Sequence, residues 1–170
     1  MTTQNIAYSS NTAITMDLSA LGSSSTFIAG RESNQIDNTT DKFIDALVRG
    51  RFIVGTTPTL PCELDIYVWG SDISLATTAI DVLDGTDSAE TLTNTTVLAN
   101  GLVLARACPV LVNTSDKTYY VTPFSVAKLF DWIMPKFWGL FVAHNMTAAL
   151  KTDAGNTNSF SFNGITYTSA

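Results

Sequence analysis

The sequence predicts a mainly β protein: an antiparallel β-sandwich, jelly-roll-like, with one or two short helices. Three observations carry this. Phe137-Trp138-Gly139-Leu140-Phe141-Val142-Ala143 is apolar on both alternating faces, as a strand covered on both sides must be. Cys62, Leu64, Ile66 and Val68 alternate with Glu63, Asp65, Tyr67 and Trp69, bounded by Pro58 and Pro61 before and Gly70-Ser71-Asp72 after. Short strand-like runs recur along the chain with turn signals between them, and helix-like stretches are few.

Taken in order, Met1 to Ser25 is polar and Ser/Thr-rich, and Ile14, Met16 and Leu18 share one face of a half-buried strand. Residues 1–40 are expected as a polar N-terminal segment, an arm with one strand, and 41–170 as the sandwich domain. Phe43 to Val54 fits two periods. As a helix, Phe43, Ile44, Leu47 and Val48 form a stripe; as a strand, Ile44, Ala46, Val48, Phe52 and Val54 line one face with a break at Gly50. The strand is favoured, because Arg49-Gly50-Arg51 is poor helix and Phe52-Ile53-Val54 is strongly β. Ile73 to Gly101 is polar and acidic and reads as an elaborated loop with short strands. Leu102 to Ala107, Pro109 to Val112 and Thr118 to Thr122 read as strands, with Asn113-Thr114-Ser115-Asp116 as a turn. Pro123 to Phe130 has the spacing of one short helix, with Val126, Leu129 and Phe130 as its buried stripe. Asn163-Gly164 is a strong hairpin signal, with Phe160 and Phe162 leading in and Ile165 and Tyr167 leading out.

At 170 residues the chain fits one domain, with or without a long insertion. Hydrophobic residues are 45%, enough for a full core, while charged residues are only 14%, so the exterior must be largely Thr, Ser and Asn. Such a neutral skin suits packing against another protein, since few charges need desolvating. The net charge of -6 and the lack of any Lys/Arg cluster argue against nucleic acid and against an anionic membrane as partners. The N-terminus lacks the charge and apolar run of a secretory signal, and no apolar run reaches the ~18 residues of a membrane span. Four tripeptides, starting at Asn38, Asn94, Asn113 and Asn145, fit the glycosylation pattern, which a Thr/Asn-rich chain produces by chance.

Candidate chemistry is sparse. The one histidine, His144, closes the Phe137 run on the face of Trp138, Leu140 and Val142, and reads as structural rather than catalytic. Cys62 and Cys108 read as reduced, buried thiols, and with one distant histidine they make no metal site. Asp81, Asp84, Asp87 and Glu90 lack the dense ligand spacing of a calcium loop. No phosphate-binding glycine loop occurs, and no cofactor is expected. Glu63 and Asp65 share a strand face about 7 Å apart, within the carboxyl separation of inverting glycosidases. Tyr67 and Trp69 extend that face and could stack on sugar rings. The plainer reading is an ordinary solvent-facing strand side. Trp132, Ile133, Met134, Phe137 and Trp138 gather around Pro135. They read either as core or, for Trp132, Met134 and Phe137, as anchors for a neighbouring subunit.

The order of motifs resembles the small virion structural proteins of tailed bacteriophages, of the capsid decoration or cement type. The motifs are Asp45-Ala46-Leu47-Val48, Asp65-Ile66-Tyr67-Val68-Trp69-Gly70-Ser71, and Pro123 to Phe130 followed by Met134-Pro135. Trp138-Gly139-Leu140-Phe141-Val142, Asn145 to Leu150 and a closing strand pair complete the set. The resemblance spans Phe43 to Ala170. It departs at Met146 and at Asp131-Trp132, where such proteins often carry glycine. It implies a non-catalytic subunit of a virion, assembled in the host cytoplasm. That subunit would bind the major capsid protein and copies of itself and stabilise contacts between capsomers. The alternative is a carbohydrate-binding or tail-associated receptor-binding module using Glu63, Asp65, Tyr67 and Trp69.

Overall fold

In the computed structural model the described residues are 4–152 and 158–169; residues 1–3 and 170, the outer ends of the two expected segments, lie outside them. The chain forms two antiparallel sheets. One holds β1 (Gln4–Tyr8), β2 (Thr12–Ile14), β5 (Asp45–Ile53), β9 (Thr118–Ser125) and β11 (Ser159–Ser169). Its order is β1-β11-β5-β9, with β2 also on β11. The other holds β3 (Ala29–Glu32), β4 (Ile36–Asp37), β6 (Cys62–Ser71), β7 (Ser88–Thr91), β8 (Val103–Val110) and β10 (Phe137–His144). Its order is β7-β3-β10-β6-β8, with β4 also on β10. A short helix, α1 (Thr95–Gly101), and a 3-10 turn, Ala127–Phe130, complete the described elements. The protein is thus mainly β and antiparallel, as the alternation predicts.

The main core lies between the sheets. Val48, Phe52, Val121, Phe124, Phe160 and Phe162 from one sheet meet Leu64, Ile66, Val68, Trp138, Leu140 and Val142 from the other. Fully burying each Val, Leu, Ile or Phe contributes about 1.5–3 kcal/mol. A second cluster forms on the far side of the six-stranded sheet. There Tyr67, Trp69, Phe141 and Ala143 are covered by Leu75, Leu83, Leu92, Leu98 and Leu102. Both faces of β10 are therefore dry, and Trp138 through His144 are all buried, as the double-faced apolar run requires.

Four local expectations are corrected. The N-terminal segment is not an arm with one strand. It supplies β1 to β4 and enters both sheets. Its alternating run is strand only to Ile14, although Leu18 is buried and Met16 packs on the core. The stretch from Ile73 to Gly101 carries a short strand, β7, as expected, but also the helix α1, and it closes the second core. Asn94 caps α1, accepting from Thr96 N and Val97 N at 2.9 and 3.0 Å. Threonine-rich helices have low propensity, so the period alone hides this one.

Pro123 to Phe130 is helical only at its end. Leu47 pairs with Ser125 and Val48 with Phe124, which holds the first three residues in β9. Between Val48/Phe124 and Gly50/Val121 the ladder takes two steps on β5 and three on β9, a bulge at Thr122-Pro123 where proline costs no ladder donor. Finally, Asn163-Gly164 is no hairpin turn but the middle of β11, paired to Leu47 and Ala46. Here β11 changes neighbour on its other side, from β2 to β1. The pair serves that change: Asn163 Nδ2 donates to Ser9 O at 2.9 Å, and Gly164 N donates to Ser9 Oγ at 2.8 Å. Gly164 has no side chain because the Phe43 ring occupies the space a Cβ would need.

Candidate functional site

The three candidate interface residues, Trp132, Met134 and Phe137, run from the β9–β10 connection into the first residue of β10, and the structure separates them. From Ser125 the chain turns into the 3-10 element. Asp45 Oδ1 anchors its start, accepting from Ala127 N at 2.9 Å and from Ala46 N at 2.7 Å. Trp132 N then donates to Ala127 O at 2.8 Å and Ile133 N to Phe130 O at 2.9 Å. Asp131 (φ 52) and Trp132 (φ 66) both lie in the left-handed region. That conformation costs roughly 1–2 kcal/mol per L-residue, and for a side chain as large as Trp it is a genuine outlier. The result is a fixed turn that holds Trp132 and Ile133 in solvent, 72% and 73% exposed. Met134 is half-buried against the main core, and Phe137 against the second. Trp138 is wholly buried, edge-on to Phe162 at 5.2 Å. The cluster thus divides: Trp132 and Ile133 project outward, Met134 and Phe137 brace the base, and Trp138 belongs to the core.

The expected solvent-facing side of β6 is instead an interior face. Asp65 is 6% exposed, Tyr67 8% and Trp69 0%; only Glu63 is partly open. The segment between β6 and β8 lies over them, so these side chains are not presented to a sugar. The Tyr67 hydroxyl donates to Asp65 Oδ2 at 3.0 Å. Burial pushes Asp65 up to about 6 and the Tyr67 phenol well above its ordinary value. Trp69 lies flat against β10, where Gly139 leaves room for its ring, and a Cβ at Gly139 would meet the indole Cε2 at 2.7 Å.

His144 is fully buried at the end of β10. Nδ1 accepts from Met146 N at 3.3 Å, which leaves Nε2 to donate to Leu21 O at 2.9 Å. Both ring nitrogens are used to tie two loops, and burial holds the imidazole below its ordinary pKa, in the neutral form. Cys62 is buried and Cys108 half-buried, both as free thiols, and burial pushes Cys108 up to about 11.

The acidic loop residues, Asp81 and Asp84 exposed and Asp87 and Glu90 half-buried, are engaged in hydrogen bonds within the chain. Asp81 accepts from Thr93 N and Oγ1, both at 2.7 Å, and Asp84 from Thr86 N at 2.9 Å. Arg31 Nε donates to Asp87 Oδ1 at 2.6 Å, and Ser88 Oγ to Glu90 Oε1 at 2.7 Å. Among the described residues no group of three or more His, Cys, Asp or Glu is placed to hold a metal ion.

Sequence reasoning misses Glu32, a fully buried carboxylate that accepts from Asp84 N at 3.1 Å and Gly85 N at 3.0 Å. Burial pushes it up to about 7. It fastens the covering segment to β3, and nothing in Gly30-Arg31-Glu32 signals that. Also missed is the open face of the five-stranded sheet. A shallow groove of about 270 Å³ lies there among Arg49, Arg51, Tyr120, Ser159 and Ser161.

The fold and these surfaces define a mainly β, antiparallel two-sheet protein in which His144 and the side chains of Glu32, Asp65, Asp81, Asp84, Asp87 and Glu90 make contacts within the chain. Among known proteins, no family model, no curated protein and no solved structure matches this chain.

Proposed function

We propose that this chain is a structural subunit that binds other protein subunits through the Trp132–Ile133 projection, in the manner of a capsid cement or decoration protein. The observation that carries the reading is the exposed Trp132-Ile133 pair on two successive left-handed residues. Strain retained at a surface position points to a role for the displayed side chain. Tryptophan is the residue most enriched among interface hot spots. The strand order supports the same reading. With β1-β11-β5-β9 facing β3-β10-β6-β8, we read the sandwich as a jelly roll, an architecture that viral capsid domains share with lectins. The resemblance to phage virion proteins supports the capsid over the lectin branch, as does the covered Tyr67–Trp69 face. Fold alone does not fix function, so the subunit role stands on the projection.

The test is occupancy of particles. Wild-type chain should survive washing of assembled particles at a fixed copy number, and Trp132→Ser should be lost from them while its circular-dichroism melt stays that of the wild type. Absence of the wild-type chain from washed particles, or retention of Trp132→Ser at the same copy number, would refute the reading.

A further inference from the structure

The sheet edges of this molecule are treated unequally. An open edge offers unpaired N–H and C=O groups to any other strand, and proteins blunt such edges with charge, proline, bulges or shortness. Here β9 is blunted three ways. It carries Pro123, it bulges at Thr122-Pro123, and Arg106 donates to the carbonyls of Thr122 and Pro123 at 3.5 and 3.2 Å. The neighbouring edge strand of the other sheet, β8, contains Pro109 and Arg106 itself. At the far edge, β7 has four residues and one of them is Glu90. β1, five residues long, has no charge, proline or bulge. Its sequence is Gln4-Asn5-Ile6-Ala7-Tyr8, and it is regularly paired to β11 over its whole length.

The ladder shows which groups are left over. Ser9 N donates to Gly164 O at 2.8 Å. In an antiparallel pair the main-chain groups of alternate residues face the same way. Ala7 and Asn5 therefore face β11, and Ile6 and Tyr8 turn their N–H and C=O to the open side. The side chains on the outer face are apolar as well: Ile6 lies opposite Tyr167, and Ile6, Tyr8 and Tyr167 are 61%, 63% and 60% exposed. In a chain of net charge -6, residues 1–16 and the whole of β11 carry no charged side chain. This is the surface on which two copies approach without repulsion.

We infer that β1 pairs antiparallel with β1 of a second copy, about a two-fold axis through Ile6. That register sets Ile6 against Ile6 and Gln4 against Tyr8, satisfies the outward main-chain groups of Ile6 and Tyr8, and continues the five-stranded sheet into its twin. An isologous contact of this kind is self-complementary. A strand edge buries little area, so the dimer dissociates on dilution. The surface lies across the five-stranded sheet from β9, which leads into the Trp132 turn, so it stands or falls apart from the Trp132 reading.

The test is sedimentation equilibrium of the full chain over a concentration series, with amide exchange read by NMR. The wild type should rise from 18.3 kDa toward twice that mass, and the Ile6 and Tyr8 amides should become protected as it does. Ile6→Lys sets two ammonium groups against each other and should weaken association at least about tenfold, with an unchanged melting temperature. Tyr8→Lys should do the same should Ile6→Lys disturb β1, and Tyr120→Lys on the opposite edge should change nothing. A mass that stays at 18.3 kDa up to about 1 mM overturns the inference. So does a dimer whose Ile6 and Tyr8 amides exchange freely, or one that both lysine variants leave intact.

Discussion

The two outer faces of the sandwich have opposite fates. On the six-stranded sheet, Tyr67, Trp69 and Phe141 point away from the main core, yet they are 8%, 0% and 0% exposed. On the five-stranded sheet, Tyr120 and Tyr167 point away from the same core and are 78% and 60% exposed. Strands of both sheets alternate inward and outward side chains, with a bulge in the β5–β9 pairing and another in the β6–β8 pairing. The difference is the segment between β6 and β8, which lays five leucines over the first face, while Tyr120 and Tyr167 stay open on the second. A strand's outer face is therefore a question that neighbouring chain answers, not the strand itself.

Substituting on the covered face should break the contrast most. Trp69→Ala removes the largest side chain of the second core and should cost about 3–5 kcal/mol, read from urea unfolding. If that variant unfolds at the wild-type midpoint, the face is not a core.

The covered face should also respond to pH. Glu32 sits at about 7 against an ordinary 4.5, so the folded state binds this proton more tightly than the unfolded chain. Its contribution is full below 4.5 and is lost as pH rises through about 7. Asp65, raised from 3.8 to about 6, adds a loss in the same direction. The urea midpoint should fall between about pH 5 and about pH 8, and Glu32→Gln should remove the part of the fall that lies near 7. A wild-type midpoint that does not move over that range would contradict this account.

The exposed side should be nearly silent. Trp132→Gly relieves a left-handed residue and removes little buried surface, and Tyr120→Ala trims a solvent-facing ring. Each should shift unfolding free energy by no more than about 0.5–1 kcal/mol. A loss of several kcal/mol at either site would mean that it packs inside.

Much of the fold was legible. The doubly apolar run of β10, the alternation of β6 and the strand reading of β5 each follow from side chains that must be buried. The failures have specific causes. Asn163-Gly164 carries a turn signal, but three neighbouring strands hold β11 extended and Phe43 needs the missing Cβ. Pro123 to Ser125 has a helical period, but β5 claims its backbone. Of the candidate site, Trp132, Met134 and Phe137 could be gathered from composition around Pro135. Which of them faces outward was decided by the φ of Asp131 and Trp132, which no period encodes.

By itself the sequence determined that this chain is a strand-rich sandwich with a deep apolar core, because alternation and β-branched content constrain each strand locally. Only the tertiary structure decided which outer face is dry, which edge is open and which tryptophan is displayed. Those outcomes depend on segments far apart in the chain meeting in space: residues 72–102 over β6, Arg106 against β9, and β1 beside β11.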